Sequence, residues 1–189
     1  IIAAVLQRER GIVRDVTSRT LQVQAFEKEM EIGRRIQADL LPEQLPDDLS
    51  IYDCVHIAAL SSAARQLAFL EACRARGARR ISVGTYARVV QAEATTVRAL
   101  LAQADIFYMN ENEARLLFGT VEQAATRAGA LLFVTLGEHG ALAISSAHRG
   151  SVPGNRAIDI DPPGARDTFC CAALAALTDG ADMMAAAMQ

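Results

Sequence analysis

Residues 104–119 read ADIFYMNENEARLLFG, and the order of residue types within them decides the fold class. Asp105 to Met109 is an apolar run of strand length. Asn110 to Glu113 is polar at every position, and Ala114 to Phe118 turns apolar again at helical spacing before Gly119. A strand apolar at successive positions is buried on both faces. A strand that passes straight into a helix opens a βα unit. The pattern repeats on both sides. Tyr52 to Ala58, Arg80 to Gly84, Leu131 to Thr135 and Ala141 to Ser145 are predicted strands. Ser61 to Arg76, Ala92 to Ala102, Glu111 to Phe118, Val121 to Ala128 and Gly164 to Leu177 are predicted helices. The alternation predicts an α/β fold, a mostly parallel sheet with helices on both faces.

Upstream the pattern changes. Val23, Phe26, Met30, Gly33, Ile36 and Leu40 recur at spacings of three or four, with charged residues between them. This predicts one long amphipathic helix over 14–41, preceding the sheet and needing a surface to lie on. Pro42 and Pro46 end it. The expected organisation is a helical linker or partner-binding segment over 1–46 and an α/β domain over 47–189.

Composition narrows the function. The chain has 189 residues, 51% hydrophobic and 22% charged, with a net charge of -3. That suits one globular domain with an added segment. Without a basic surplus, no nucleic-acid partner is expected. No apolar run approaches ~18 residues, so no membrane span is expected. Ile1 to Leu6 lacks the flanks of a signal peptide, which points to the cytoplasm. The chain opens on Ile rather than Met and reads as a piece of something longer. Lys28 is the only lysine, which removes a Walker A lysine and a protein-kinase strand lysine. Cys54, Cys73, Cys170 and Cys171 form no metal spacing and read as buried reduced thiols. His56, mid-strand, reads as a satisfied core histidine. Met183, Met184 and Met188 read as the core of a terminal helix.

Ligands of such sheets bind beyond the carboxyl ends of the strands, where three loops stand out. After the third strand, Asn110 and Glu113 lie one helical turn apart. They suit either an N-cap or a magnesium ion held through water. After the fourth strand, Thr135-Leu136-Gly137-Glu138-His139-Gly140 has two glycines three apart, suited to a tight hairpin. His139 at its tip is expected to be exposed and idle. Asp161-Pro162-Pro163-Gly164-Ala165-Arg166-Asp167 precedes a small-residue helix. It is either a plain cap or an anion site with an acid beside it.

Together the three loops are more specific than any one. Residues 51–178 resemble the C-terminal half of the ribokinase-like (PfkB) carbohydrate kinases. Asn110-Glu111-Asn112-Glu113 is similar to that family's N-x-x-E motif, LFVTLGEHGALAI to its T-L-G-x-x-G strand pair, and IDPPGARDTF to its D-x-x-G-A-G-D-T-F signature. The resemblance implies ATP-dependent phosphorylation of a sugar or sugar-like hydroxyl. It implies that Asp167 is the general base and that the amides of Gly164, Ala165 and Arg166 form the anion hole. It implies that Asn110 and Glu113 manage Mg2+ and that Thr135, Gly137 and Gly140 line the ATP site. The implied partners are a nucleotide and a small-molecule sugar.

Two departures bear on activity. Arg166 stands where the family has a second glycine. A side chain there either crowds the phosphate or binds it as a cation. The family fold is also about twice the matching stretch, and residues 1–50 hold no counterpart of its sugar-binding half. Residues 21–46 resemble instead the helical linker before PP2C-type phosphatase domains. Such helices dimerise, so a homodimer is expected, with Val23 to Leu40 as the seam. The alternative reading is a catalytically impaired, kinase-like interaction module joined through that helix.

Overall fold

The computed structural model describes residues 45–154 and 165–188, with the backbone only at 165–167. The helix expected over 14–41 lies outside the described residues, as do residues 161–164 of the third loop. From Pro46 onward the chain is one compact unit.

The elements run β1 (Val55–Ile57), α1 (Ala63–Ala75), β2 (Ile81–Gly84), α2 (Ala87–Ala92), α3 (Ala94–Gln103), β3 (Ile106–Asn110), α4 (Glu111–Phe118) and β4 (Leu131–Thr135). Then come β5 (Ala141–Ile144), β6 (Arg149–Val152), α5 (Ala165–Thr178) and α6 (Met183–Ala187). The sheet has the order β1-β2-β3-β4-β5-β6. Strands β1 to β4 pair in parallel, and β4–β5 and β5–β6 pair antiparallel. The expected class, a mostly parallel sheet with helices, is what the chain forms.

Local chemistry sets the boundaries. Ser62 caps α1 by accepting from Arg65 N at 3.4 Å, and Gly77, at φ +87°, ends it as glycine does just past a helix. Parallel crossovers are right-handed, so an order that never reverses lays the connecting helices α1 to α4 along one face. That face receives Leu70, Val97, Leu100 and Leu117, all essentially buried. The opposite face carries Ile106, Tyr108, Phe133, Ala143 and Val152 beneath α5 and α6. There Tyr108 and Phe133 stack with centroids 5.3 Å apart, and Phe169 meets both edge-on.

Several expectations need correction. Residues 121–128 do not form a helix. The Arg149 guanidinium donates to the Val121 and Ala124 carbonyls, and Arg127 donates to the Ala104 carbonyl and Asp105, so the segment is pinned through groups a helix would use internally. The helix expected over Ala92–Ala102 forms as Ala94–Gln103, and a separate short helix that was not expected, Ala87–Ala92, precedes it across Glu93 (φ -131°, ψ 40°). A sixth strand, β6, was not expected at all. His56 is exposed rather than in the core, and Met188, 68% exposed, lies past the end of α6. Of the cysteines, Cys73 and Cys170 are buried, Cys54 is half-buried and Cys171 is exposed.

Asp105 ties the lower edge of the sheet. It accepts from Ile81 N at 2.8 Å, from Arg127 Nη2 at 2.9 Å and from Arg74. Burial pushes its carboxyl up, but the Ile81 amide and the two arginines outweigh this and hold it below the usual range. A carboxyl depressed in the folded state adds stability above its unfolded pKa, and that stability is lost as pH falls through the folded value. Urea midpoints are therefore expected to drop below the ordinary carboxylate range. Asp105→Ala is expected to cost about 2 kcal/mol at neutral pH and to flatten that acid limb. An acid limb unchanged in the variant would remove Asp105 as its cause.

Candidate active site

Two of the three loops are brought side by side by strand register. Asn110 ends β3, Thr135 ends β4, and the two are direct partners in the parallel ladder. Both are half-buried, at the carboxyl edge of the sheet.

Asn110 and Glu113 form a capping box on α4. Asn110 Oδ1 accepts from Glu113 N at 2.8 Å. The two carboxylate oxygens of Glu113 accept from Asn110 N and Asn110 Nδ2, each at 2.9 Å. Glu113 is 1% exposed. The cap is thus formed, and it also fixes the Asn110 side chain at the strand end. The three side-chain oxygens of the pair all accept within the box, though oxygen is the ligand type magnesium takes. The burial of Glu113 suits contact through water rather than direct coordination. Glu113→Ala would leave the Asn110 amides unpaired and is expected to cost about 2 kcal/mol. Thermal unfolding checks it, and an unchanged midpoint would show that the box contributes nothing.

The second loop is a hairpin tightened by a 3-10 turn over Gly137–His139. Leu136 N donates to the Gly140 carbonyl at 2.7 Å, and Gly140 N to the Gly137 carbonyl at 3.1 Å. Gly137 has φ +62° and Gly140 φ +90°. His139 at the tip is 76% exposed, with its Nε2 3.8 Å from the Glu138 carboxylate. At Gly140 the turn meets the chain beyond β6. A Cβ there would lie 2.0 Å from the Val152 carbonyl oxygen, and one at Gly154 would lie 2.5 Å from the Glu138 carbonyl oxygen. The second loop therefore rests on the segment that leads toward the third.

Of the third loop, Ala165, Arg166 and Asp167 form the first turn of α5, where backbone N–H groups lack helical partners. Gly164 lies outside the described residues, as do the side chains of Ala165, Arg166 and Asp167. Phe169, two residues after Asp167, is anchored on Tyr108 and Phe133, which fixes this end of α5 to the sheet.

Sequence reasoning missed Gln66. It is fully buried, and its Nε2 donates to the carbonyls of Ala58 and Gly84, both at 2.8 Å, so it clamps the carboxyl ends of β1 and β2 together. A glutamine on the apolar side of a helix was the available signal. Among the described residues no cluster of three or more His, Cys, Asp or Glu is placed to hold a metal, and no helix is long and apolar enough to cross a membrane.

A profile described as pfkB family carbohydrate kinase matches residues 16–188. Residues 21–46 fall inside that match, and no similar protein supports their likeness to a phosphatase linker. No curated protein matches the sequence. Among solved structures, a PfkB protein from Polaromonas sp. JS666 aligns with TM-score 0.54 and 26% identity, over 70% of this chain and 49% of its own. An adenosine kinase from Sinorhizobium meliloti aligns with TM-score 0.62 and 20% identity, over 77% and 49%. A nucleoside kinase from Burkholderia thailandensis, solved with inosine, aligns with TM-score 0.60 and 21% identity, over 74% and 49%. The latter two show likeness of fold alone. The chain spans about half the length of each.

Proposed function

This chain belongs to the pfkB family of carbohydrate kinases, and from that premise we propose that it carries the nucleotide side and the catalytic turn of an ATP-dependent kinase acting on a sugar or sugar-containing hydroxyl. The observation that supports this best is the pairing of Asn110 with Thr135, which sets two of the motif loops side by side at the carboxyl edge of the sheet.

On this reading Asp167, in the first turn of α5, takes the proton of the attacking hydroxyl. The amides of Gly164, Ala165 and Arg166 hold the anionic group, as unpaired amides at a helix start do. Thr135, Gly137 and Gly140 line the nucleotide. At Gly137 no described atom comes within 4 Å of an added Cβ, so the turn there is open to a ligand. Asn110 and Glu113 hold magnesium through water. When bound, ATP supplies the phosphoryl group, and magnesium offsets the charge on its oxygens. Arg166 adds a cation beside the amide cluster. The chain works in the cytoplasm as a homodimer, with the apolar stripe from Val23 to Leu40 as its seam. The segment over 1–46 serves as that linker, and the kinase domain occupies 47–189.

The test is transfer of label from γ-labelled ATP to D-ribose, adenosine or fructose 6-phosphate by the full chain. Labelled product is expected with at least one acceptor. No product, together with no ATP binding by calorimetry, would overturn the reading. Sedimentation as a monomer would remove the dimer.

A further inference from the structure

Three aromatic rings meet on the sheet face that carries α5, and each stands two residues from a different motif loop. Tyr108 and Phe133 are register partners in the β3–β4 ladder, and Asn110 and Thr135 are the partners two steps further along it. Two steps along a strand is about 7 Å. Phe169 lies two residues after Asp167 in α5, about 3 Å along the helix axis. The Tyr108 and Phe133 rings stack with their planes 13° apart, and the Phe169 ring stands at 86° to the first and 76° to the second. Its centroid is almost equidistant from the two, at 6.2 Å and 6.0 Å. Tyr108 and Phe133 are essentially buried, and Phe169 is half-buried.

This arrangement fixes a position as well as a contact. An edge-to-face pair has a preferred geometry, and Phe169 makes two such pairs at once. Sliding α5 by one residue would carry its ring about 1.5 Å along the helix axis and disturb both together. The next residues of the helix to reach the sheet are small. Cys170 and Ala173 are buried in the same cluster, so α5 lies close enough for the rings to meet.

We infer that the Tyr108–Phe133–Phe169 cluster is a positioning element, which sets the first turn of α5 at a fixed height against the ends of β3 and β4. Phe169 is then a positioning residue that acts through Asp167. The part played in catalysis rests on the kinase reading above, whereas the hold on α5 rests on the ring geometry alone. A displacement of about 1 Å far from the chemistry can cost about a hundredfold in rate, so an anchor of this kind bears directly on turnover.

Two measurements on the full chain test this. The first is hydrogen–deuterium exchange. The amides of residues 169–172 bond to the carbonyls of the first turn of α5, so they report whether that turn is held. Phe169→Leu keeps an apolar side chain without the ring edge and is expected to speed their exchange at least tenfold, with α1 and α3 unchanged. Phe133→Leu, made on β4, is expected to do the same to α5 from a distance. Wild-type exchange at 169–172 in both variants would overturn the inference, whatever the activity of the chain. The second is kinetic. Phe169→Leu is expected to lower kcat about ten- to a hundredfold with KM for ATP within about twofold, and Phe169→Tyr, which keeps the ring, to recover most of it. In the Asp167→Asn background Phe169→Leu is expected to cost less than about twofold more, because the group it positions no longer takes the proton. Fully additive losses would overturn its action through Asp167. Faster exchange in a chain that transfers no phosphate keeps the hold on α5 and loses the kinase reading. Unchanged kcat in Phe169→Leu of an active kinase does the reverse.

Discussion

Replacing Gly140 with alanine is expected to destabilise the domain by about 3–5 kcal/mol, enough to leave much of it unfolded. Two costs coincide. Gly140 has φ +90° and ψ -133°, a region that residues with a Cβ pay about 1–3 kcal/mol to enter. The added carbon would also lie 2.0 Å from the Val152 carbonyl oxygen, 2.5 Å from Gly154 N and 2.7 Å from Pro153 C. These are backbone atoms, which cannot swing aside as a side-chain end can, so the turn and the segment beyond β6 must part. Gly137→Ala is the control. Gly137 also has positive φ, but no described atom lies within 4 Å of an added Cβ, so only the conformational cost of about 1–2 kcal/mol remains. Urea unfolding of both variants checks this. Equal midpoints would show that the crossing at Gly140 is not tight.

Asp167→Asn is expected to lower kcat for phosphoryl transfer by about 10²–10⁴, the usual contribution of a positioned base. Asparagine keeps the size and polarity of the side chain but cannot take the proton. The loss should fall in kcat and kcat/KM together, which marks an interaction made only in the transition state. The comparison uses the acceptor that the wild type phosphorylates best. If the variant turns over as fast as the wild type, Asp167 is not the base, and the turn at the start of α5 is left with a positioning role.

Where apolar runs were long, the sequence was easy to read. Leu131–Thr135 is a strand at the bounds its composition predicts, and Glu111–Phe118 is a helix because Asn110 and Glu113 cap it reciprocally. β6 escaped notice because Arg149-Gly150-Ser151-Val152 holds one apolar residue in four. It is a strand because β5 templates it across a short turn, where Ser145 N donates to the His148 carbonyl at 2.8 Å. The predicted helix over 121–128 failed for the opposite reason. Val121 and Ala124 are buried at helical spacing, but Arg149, distant in sequence, claims both their carbonyls. The site divides similarly. Motif spacing pointed to Asn110, Thr135 and Gly140 as strand-end residues. Nothing local could show that Tyr108 and Phe133 are partners, because strand pairing sets that.

The unreversed strand order has a consequence for how the chain acquires its shape. Each parallel partner lies only 24 to 26 residues further along, and the antiparallel pairs are closer still. Contact order is therefore modest for a sheet protein, and early closure of long loops is not required. During synthesis each strand leaving the ribosome would find its neighbour already in place, so assembly can proceed from β1 toward β6 at the pace of translation.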